Sequence, residues 1–326
     1  MTTHLRLPFT PPYDWAGLHA YLAARAIPGV ELTRPGLYAR SVAHGGVHGT
    51  LRVMLAPDDA LLATLDLPVA MPDLAARLGR LFDLDADPLA IGRALGRDPF
   101  LAARIRERPG LRVPGAWDAF ELAVRAILGQ QVSVAAATRL AGTLVSAFGT
   151  PLARPGTEPG LTHVFPAAEV LVEADIARVL NMPRARGTAI QALAAATLAE
   201  PDLLAPGQGI AAARARLTAI RGIGDWTAQY IAMRALREPD ALPTGDIGLL
   251  RALAEPVGRP TARELEARSQ AWRPWRAYAV LHLWAHDAAR GAGGPEREAL
   301  SESRPQSIAE QEAGCAEAAA GAKVEP

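Results

Sequence analysis

The stretch RGIGDWTAQY, residues 221 to 230, sets two glycines around one isoleucine and follows them with an acid and a tryptophan. Two chemistries are open to such a bend. A dinucleotide-binding turn needs a preceding strand and a third small residue at position 227, whereas ARARLTAI ahead of it has helical spacing and position 227 is threonine. A tight hairpin between two helices fits better. Gly222 can take the left-handed conformation that ends the first helix, and Gly224 leaves room for another backbone to approach. The second helix then begins with unpaired N–H groups from about Gly224 to Thr227, and such an end attracts a phosphate by its dipole and by direct donation. A structural corner that binds nothing has the same local pattern.

Other residue types narrow the chemistry. Of the 34 basic residues 33 are arginine, and the single lysine, Lys323, lies near the C-terminus, so the body of the fold offers no ε-amine for Schiff-base catalysis. The one cysteine, Cys315, cannot build a disulfide framework or a cysteine-ligated cluster within one chain. His282 and His286 form an i, i+4 pair with no third partner, and His282 reads as an ordinary helix residue. No phosphate-binding G-x-x-x-x-G-K-[ST] loop is present. Asp246, in LPTGDIGLL, follows a glycine and precedes an apolar helical run, the usual setting of an N-cap.

The elements that must position these residues follow from periodicity. Residues 36 to 67 alternate with period two around a Gly45-Gly46 turn and read as a small antiparallel sheet. DWAGLHAYLAARAI before it reads as a helix capped by Asp14, and LAARLGRLFDL after it as another, giving an α+β domain over residues 1–98. From Pro99 to residue 290 helical segments follow one another, one of them from Ala167 to Leu180, so this body reads as all-α. Residues 291–326, rich in Gly, Ala, Glu and Ser, read as a disordered tail. That tail holds seven glutamates against Arg297, Arg304 and Lys323, so the net charge of zero conceals +4 over residues 1 to 290, a balance that permits nucleic-acid binding. No apolar run is long enough for a membrane span and no signal peptide is recognised, so a cytoplasmic location is expected.

Leu217, Ile220, Gly222, Ile223, Gly224 and Ala228 match the pattern of the helix-hairpin-helix motif, and Asp246 follows at the distance where glycosylases of that superfamily carry an essential aspartate. With PPYDW, LYARS, GRLFDL, ALGR, DAFE, VRAILGQ and the W-PWR-YA-LH-W segment, the chain resembles the bacterial 3-methyladenine DNA glycosylase II family over residues 8 to about 287. The resemblance implies an α+β N-terminal domain with a small antiparallel sheet, followed by an all-α helix-hairpin-helix body of two lobes with the active-site cleft between them. It also implies a monofunctional glycosylase that flips alkylated bases out of double-stranded DNA and hydrolyses the glycosidic bond, working as a monomer with no required cofactor.

On this resemblance Asp246 stabilises the oxocarbenium-like sugar, Trp226, Tyr230, Trp284 and Tyr21 wall the base pocket, and Trp272 and Trp275 belong to the core. Gly222, Gly224, Thr227 and Gln131 meet DNA. The backbone carbonyls of Thr218, Ile220 and Gly222 would hold a monovalent cation that bridges to a phosphate. Strand-nicking relatives place a lysine where Trp226 stands. Two positions depart from the family: Gln131 replaces the usual leucine wedge, and Ala285 a tyrosine. The competing reading is a non-enzymatic helix-hairpin-helix DNA-binding module in which Asp246 only caps a helix.

Overall fold

A computed structural model of the chain describes residues 1–153, 158–254 and 258–293. Its alternating segments form β3 (Leu37–His44), β4 (Val47–Leu55) and β5 (Ala60–Asp66), and two strands not expected from sequence, β1 (Thr2–Pro8) and β2 (Glu31–Arg34), complete a sheet of order β1-β5-β4-β3-β2. All pairings are antiparallel. Gly45 and Gly46, with φ of 57° and 75°, make the tight β3–β4 turn that side-chain-bearing residues resist. Leu51, Val53, Leu61, Ala63 and Leu65 point to one face, where they bury against Trp15, Leu18 and Leu22 of α1 (Trp15–Ala23) and Leu78, Leu81 and Phe82 of α2 (Leu74–Phe82). Asp14 caps α1 by accepting from Gly17 N at 2.8 Å.

The helical part runs through α3 (Pro88–Leu95), α4 (Pro99–Glu107), α5 (Ala119–Leu128), α6 (Val134–Phe148), α7 (Ala168–Leu171), α8 (Ile176–Val179) and α9 (Arg184–Ala199). It continues with α10 (Ile210–Thr218), α11 (Asp225–Arg234), α12 (Ile247–Ala252), α13 (Ala262–Ser269) and α14 (Arg276–Gly293). A second apolar core gathers Leu144, Ile190, Leu193, Leu217, Ile231, Leu249, Trp272 and Leu283 from these helices. Three sequence expectations change. The body contains a short ladder, β6 (Thr150–Pro151) with β7 (His163–Val164). The segment from Ala167 to Leu180 breaks into α7 and α8, because Asp175 caps a fresh start by accepting from Arg178 N. Helix α14 continues through residues 291–293, while the rest of the expected tail, 294–326, lies outside the described residues. The chain divides into two compact units, Met1–His286 and Asp287–Pro326, the second described only over helical residues 287–293.

Between sheet and helices lies a seam of buried charge. Arg40 of β3 donates to Glu121 of α5 at 2.6 Å. Arg125 of the same helix donates to Glu31 of β2 at 2.9 Å and to Glu121 at 3.2 Å. Tyr38 donates its hydroxyl to Glu31 at 2.7 Å. Burial alone would raise the Glu31 carboxyl, but Arg125 and Arg40, with the Tyr38 hydroxyl and the Ile27 N–H, outweigh it and hold the carboxyl below its ordinary range. Deleting one member strands the others without partners in a medium that cannot solvate them, and Glu121→Ala is expected to cost about 3–5 kcal/mol of stability. Urea denaturation measures it; a loss under about 1 kcal/mol, the scale of an exposed pair, would show the seam to be solvated.

Candidate active site

The hairpin forms as its glycines require, with their roles distributed differently from expectation. Gly222 has φ of +90°, and a Cβ there would come 2.4 Å from the Ala189 Cβ, so this one residue supplies both the left-handed turn and the close approach. Gly224 is the N-cap of α11 at φ −85°, and a Cβ on it would meet nothing within 4 Å. No side chain caps the N–H groups of the first turn of α11, and the one charged side chain in that turn, Asp225, is paired with Arg214. Thr227 is buried and its hydroxyl accepts from Gln130 Nε2 at 3.1 Å, so only its backbone N–H remains of the role expected for it.

Asp246 sits at the N-terminus of α12, half-buried, with both carboxylate oxygens engaged. Oδ1 accepts from Leu249 N at 2.9 Å and from Trp284 Nε1 at 3.0 Å, while Oδ2 accepts from Trp226 Nε1 at 2.8 Å. The cap reading and the pocket reading thus describe one residue. Trp226 stacks on Tyr230 with ring centroids 5.3 Å apart and planes 8° from parallel. Tyr230 faces Trp284 at 6.2 Å with a 47° tilt. Tyr21, from α1, completes the cluster through a 3.2 Å contact between its hydroxyl and that of Tyr230. Five of the residues expected to act together are therefore brought together.

Behind the rings lies a residue that sequence reasoning missed. Arg234 is buried and donates to the hydroxyls of Tyr21 at 2.9 Å and Tyr230 at 2.7 Å, to Gly115 O at 2.9 Å, and to Pro114 O. Arg25 lies 3.7 Å from the centre of the Tyr21 ring. Burial raises the Tyr230 phenol, but the guanidiniums of Arg234 and Arg25, the Tyr21 hydrogen bond and Arg125 prevail and bring it down to about 8. Burial keeps Tyr21 above its ordinary value. The one sequence signal for Arg234 is its i+4 spacing from Tyr230 on a helix that otherwise buries apolar residues.

The remaining candidates lie elsewhere. Gln131 is exposed in the α5–α6 turn, with φ of +58°. The carbonyls of Thr218, Ile220 and Gly222 lie in the hairpin turn; that of Ile220 accepts from Ile223 N and that of Gly222 from Gln130 Nε2. Each oxygen keeps a second lone pair, so the trio fits a monovalent cation by its donor chemistry. No group of three His, Cys, Asp or Glu suited to a metal occurs among the described residues. Trp272 is fully buried, with its indole N–H on Asp98 at 2.9 Å, and Trp275 is half-buried against the helical core. His282 is buried and pushed down to about 4, first by burial and then by Arg108, while His286 contacts Arg104, so the two histidines form no shared site.

Residues 4–118 match the AlkA N-terminal domain family. Over 285 residues the chain is 44% identical to a probable bifunctional transcriptional activator/DNA repair enzyme AlkA of Mycobacterium tuberculosis, covering 87% of this chain. It spans only 57% of that relative's length. Over 289 residues it is 37% identical to DNA-3-methyladenine glycosylase 2 of Escherichia coli, covering 85% of this chain and 95% of that one. Among solved structures, a 3-methyladenine DNA-glycosylase from Archaeoglobus fulgidus shares the fold with a TM-score of 0.75 at 20% identity, over 87% of this chain and 98% of that one.

The Tyr230 environment has a direct optical test. A phenol lowered to about 8 ionises while the protein's other tyrosines stay protonated, so absorbance at 295 nm is expected to rise between pH 7 and 9 by one phenolate. Arg234→Met leaves burial less opposed and should move that rise above pH 10. A wild-type protein with no phenolate below pH 9 would refute the guanidinium's control of this ring.

Proposed function

The chain belongs to the DNA-3-methyladenine glycosylase 2 family, and from that premise we propose that it is a monofunctional glycosylase excising alkylated bases of the 3-methyladenine and 7-methylguanine type from double-stranded DNA. The observation that carries this reading is a carboxylate fixed by two indoles that belong to the same aromatic cluster. A carboxylate has about four acceptor sites, and Asp246 commits three of them to Leu249, Trp226 and Trp284. The remaining lone pair gives negative charge held in place before a substrate arrives, which is what stabilises a developing oxocarbenium ion with little reorganisation. In the reaction the glycosidic bond breaks, its electron pair leaves with the base, and water supplies the hydroxyl at C1′ while losing one proton. A cationic methylated purine departs neutral and needs no proton from the protein.

The rings supply recognition. A cationic base over an indole or phenol face gains roughly 0.5–2 kcal/mol per contact. A base between Tyr230 and Trp284 needs about 3.5 Å to each face, more than their 6.2 Å tilted separation provides, so seating it spreads the rings. Duplex DNA would be held by the outward N–H groups at Gly224 to Thr227, with the Thr218, Ile220 and Gly222 carbonyls able to hold a monovalent cation against the same phosphate. Because the base pocket and the hairpin both belong to α11, gripping the backbone and presenting the pocket are coupled.

The cap bond from Leu249 also supports a module that binds DNA without cleaving it, and one substitution separates the two. Asn caps helices as well as Asp, so Asp246→Asn, with its oxygen on Leu249 N and Trp284 Nε1, should stay folded and bind abasic-site DNA while losing the negative charge and the bond from Trp226 Nε1. Its excision of 7-methylguanine should fall about 10²–10³-fold; retained excision would remove Asp246 from catalysis, and no excision by the wild type would favour the binding module. Lys323, the only lysine, lies outside the described residues, and borohydride trapping on substrate DNA is expected to yield no covalent adduct. An adduct mapped to residues 1–293 would overturn the monofunctional assignment.

A further inference from the structure

Gln130 precedes the exposed Gln131 in the α5–α6 turn, and its side chain does not point the same way. Its amide donates to Gly222 O at 3.0 Å and to Thr227 Oγ1 at 3.1 Å, bonding both sides of the hairpin bend at once. Its own backbone carbonyl accepts from Arg186 of α9 at 2.7 Å. Ala189 of that same helix is the residue against which Gly222 packs. Three segments distant in sequence are thus locked around one glutamine. The outer side of the lock carries Gln131, held at a φ of +58° that costs a non-glycine residue about 1 kcal/mol or more, with Val132 and Val134 exposed beside it. A left-handed residue at an exposed tip persists only where its surroundings fix it.

We propose that Gln130 is a positioning residue, a strut that makes the phosphate-gripping hairpin and the Gln131 tip one rigid body. It rests on the glycosylase reading above. When the hairpin seats on a phosphate, the tip is driven into the stack at a fixed distance, and the energy of backbone binding goes into opening the base pair instead of into bending the turn. Gln130 touches neither base nor sugar in this scheme. Its loss therefore acts on flipping, while pocket chemistry and the hairpin's own grip survive.

Gln130→Met keeps the length of the side chain and removes both donors. Three readouts on the full chain test it: single-turnover excision of 7-methylguanine opposite cytosine, the same with 7-methylguanine opposite thymine, and the fluorescence of 2-aminopurine beside an abasic site, which reports unstacking with no bond broken. The rate on the paired lesion should drop about tenfold, with most of that loss absent on the mispaired lesion, whose opening is already easier. The 2-aminopurine signal should fall while affinity for the abasic duplex is kept. Arg186→Met, which releases the other anchor, should shift each readout the same way by less, and it carries the test if Gln130→Met lowers the melting temperature. Equal loss on both lesions, or an unchanged 2-aminopurine signal, overturns the proposal. If the wild type excises nothing, the glycosylase reading fails, and the fluorescence still decides the role of Gln130.

Discussion

One carboxylate has to satisfy three donors that arrive from three helices. Leu249 N belongs to the helix that Asp246 itself begins, Trp226 to α11 and Trp284 to α14. An indole N–H in a half-buried site needs an acceptor, and a helix start needs a cap. A single side chain answers all three demands, which fixes the two tryptophans relative to Asp246 without any bond between the rings themselves. The position of both indoles is therefore set by one carboxylate.

From that carboxylate a continuous chain of contacts leads back to the N-terminal sheet. Trp226 stacks on Tyr230, whose hydroxyl meets Arg234 and Tyr21; Arg234 reaches the carbonyls of residues 114 and 115. Tyr21 stands on α1, which covers the sheet. Beneath it, the pairs among Glu31, Arg40, Glu121 and Arg125 join β2 and β3 to α5. Buried pairs of this kind bring little net stability, since desolvation cancels much of their attraction. What they provide is a tie from β2 and β3 to α5, while Tyr21 reaches Tyr230 across more than two hundred residues of sequence. The family match over residues 4–118 therefore includes Tyr21 of the aromatic cluster as well as the sheet.

Sequence made the hairpin and Asp246 visible because both are written locally. Glycines at 222 and 224 and an aspartate after Gly245 act within three or four residues of themselves. Gln130 and Arg234 are hard to read for the opposite reason: the Gln130 side chain bonds residues 92 and 97 positions away, and Arg234, apart from Tyr230 four residues before it, bonds residues 119 to 213 positions away. The same holds for β1, whose edge pairing with β5 spans more than fifty residues. Helices α3 and α4 carry a local start signal too: in Asp87-Pro88 and Asp98-Pro99 the proline takes the first helical position behind an aspartate cap, as the bonds from Leu89, Ala90 and Phe100 to those caps show.

The near-exclusive use of arginine acquires a physical meaning only in the fold. Arg40, Arg112, Arg234 and Arg276 are buried, and Arg112 alone donates to the carbonyls of Thr10, Pro12, Asp83 and Ala86. A planar group with five donors can satisfy several carbonyls from one place, which an ammonium on a flexible stem cannot do in the same geometry. These four arginines thus serve the interior and face no polyanion. At the hairpin itself, Arg214 is paired with Asp225 of the first turn of α11, and Arg221 is exposed in the bend. On the function proposed above, a phosphate would be held chiefly through backbone donors of fixed direction, and fixed donors are useful only if what stands beside them is equally fixed. On that proposal, the two bonds by which Gln130 ties its turn to the hairpin count for more than a surplus of surface cations.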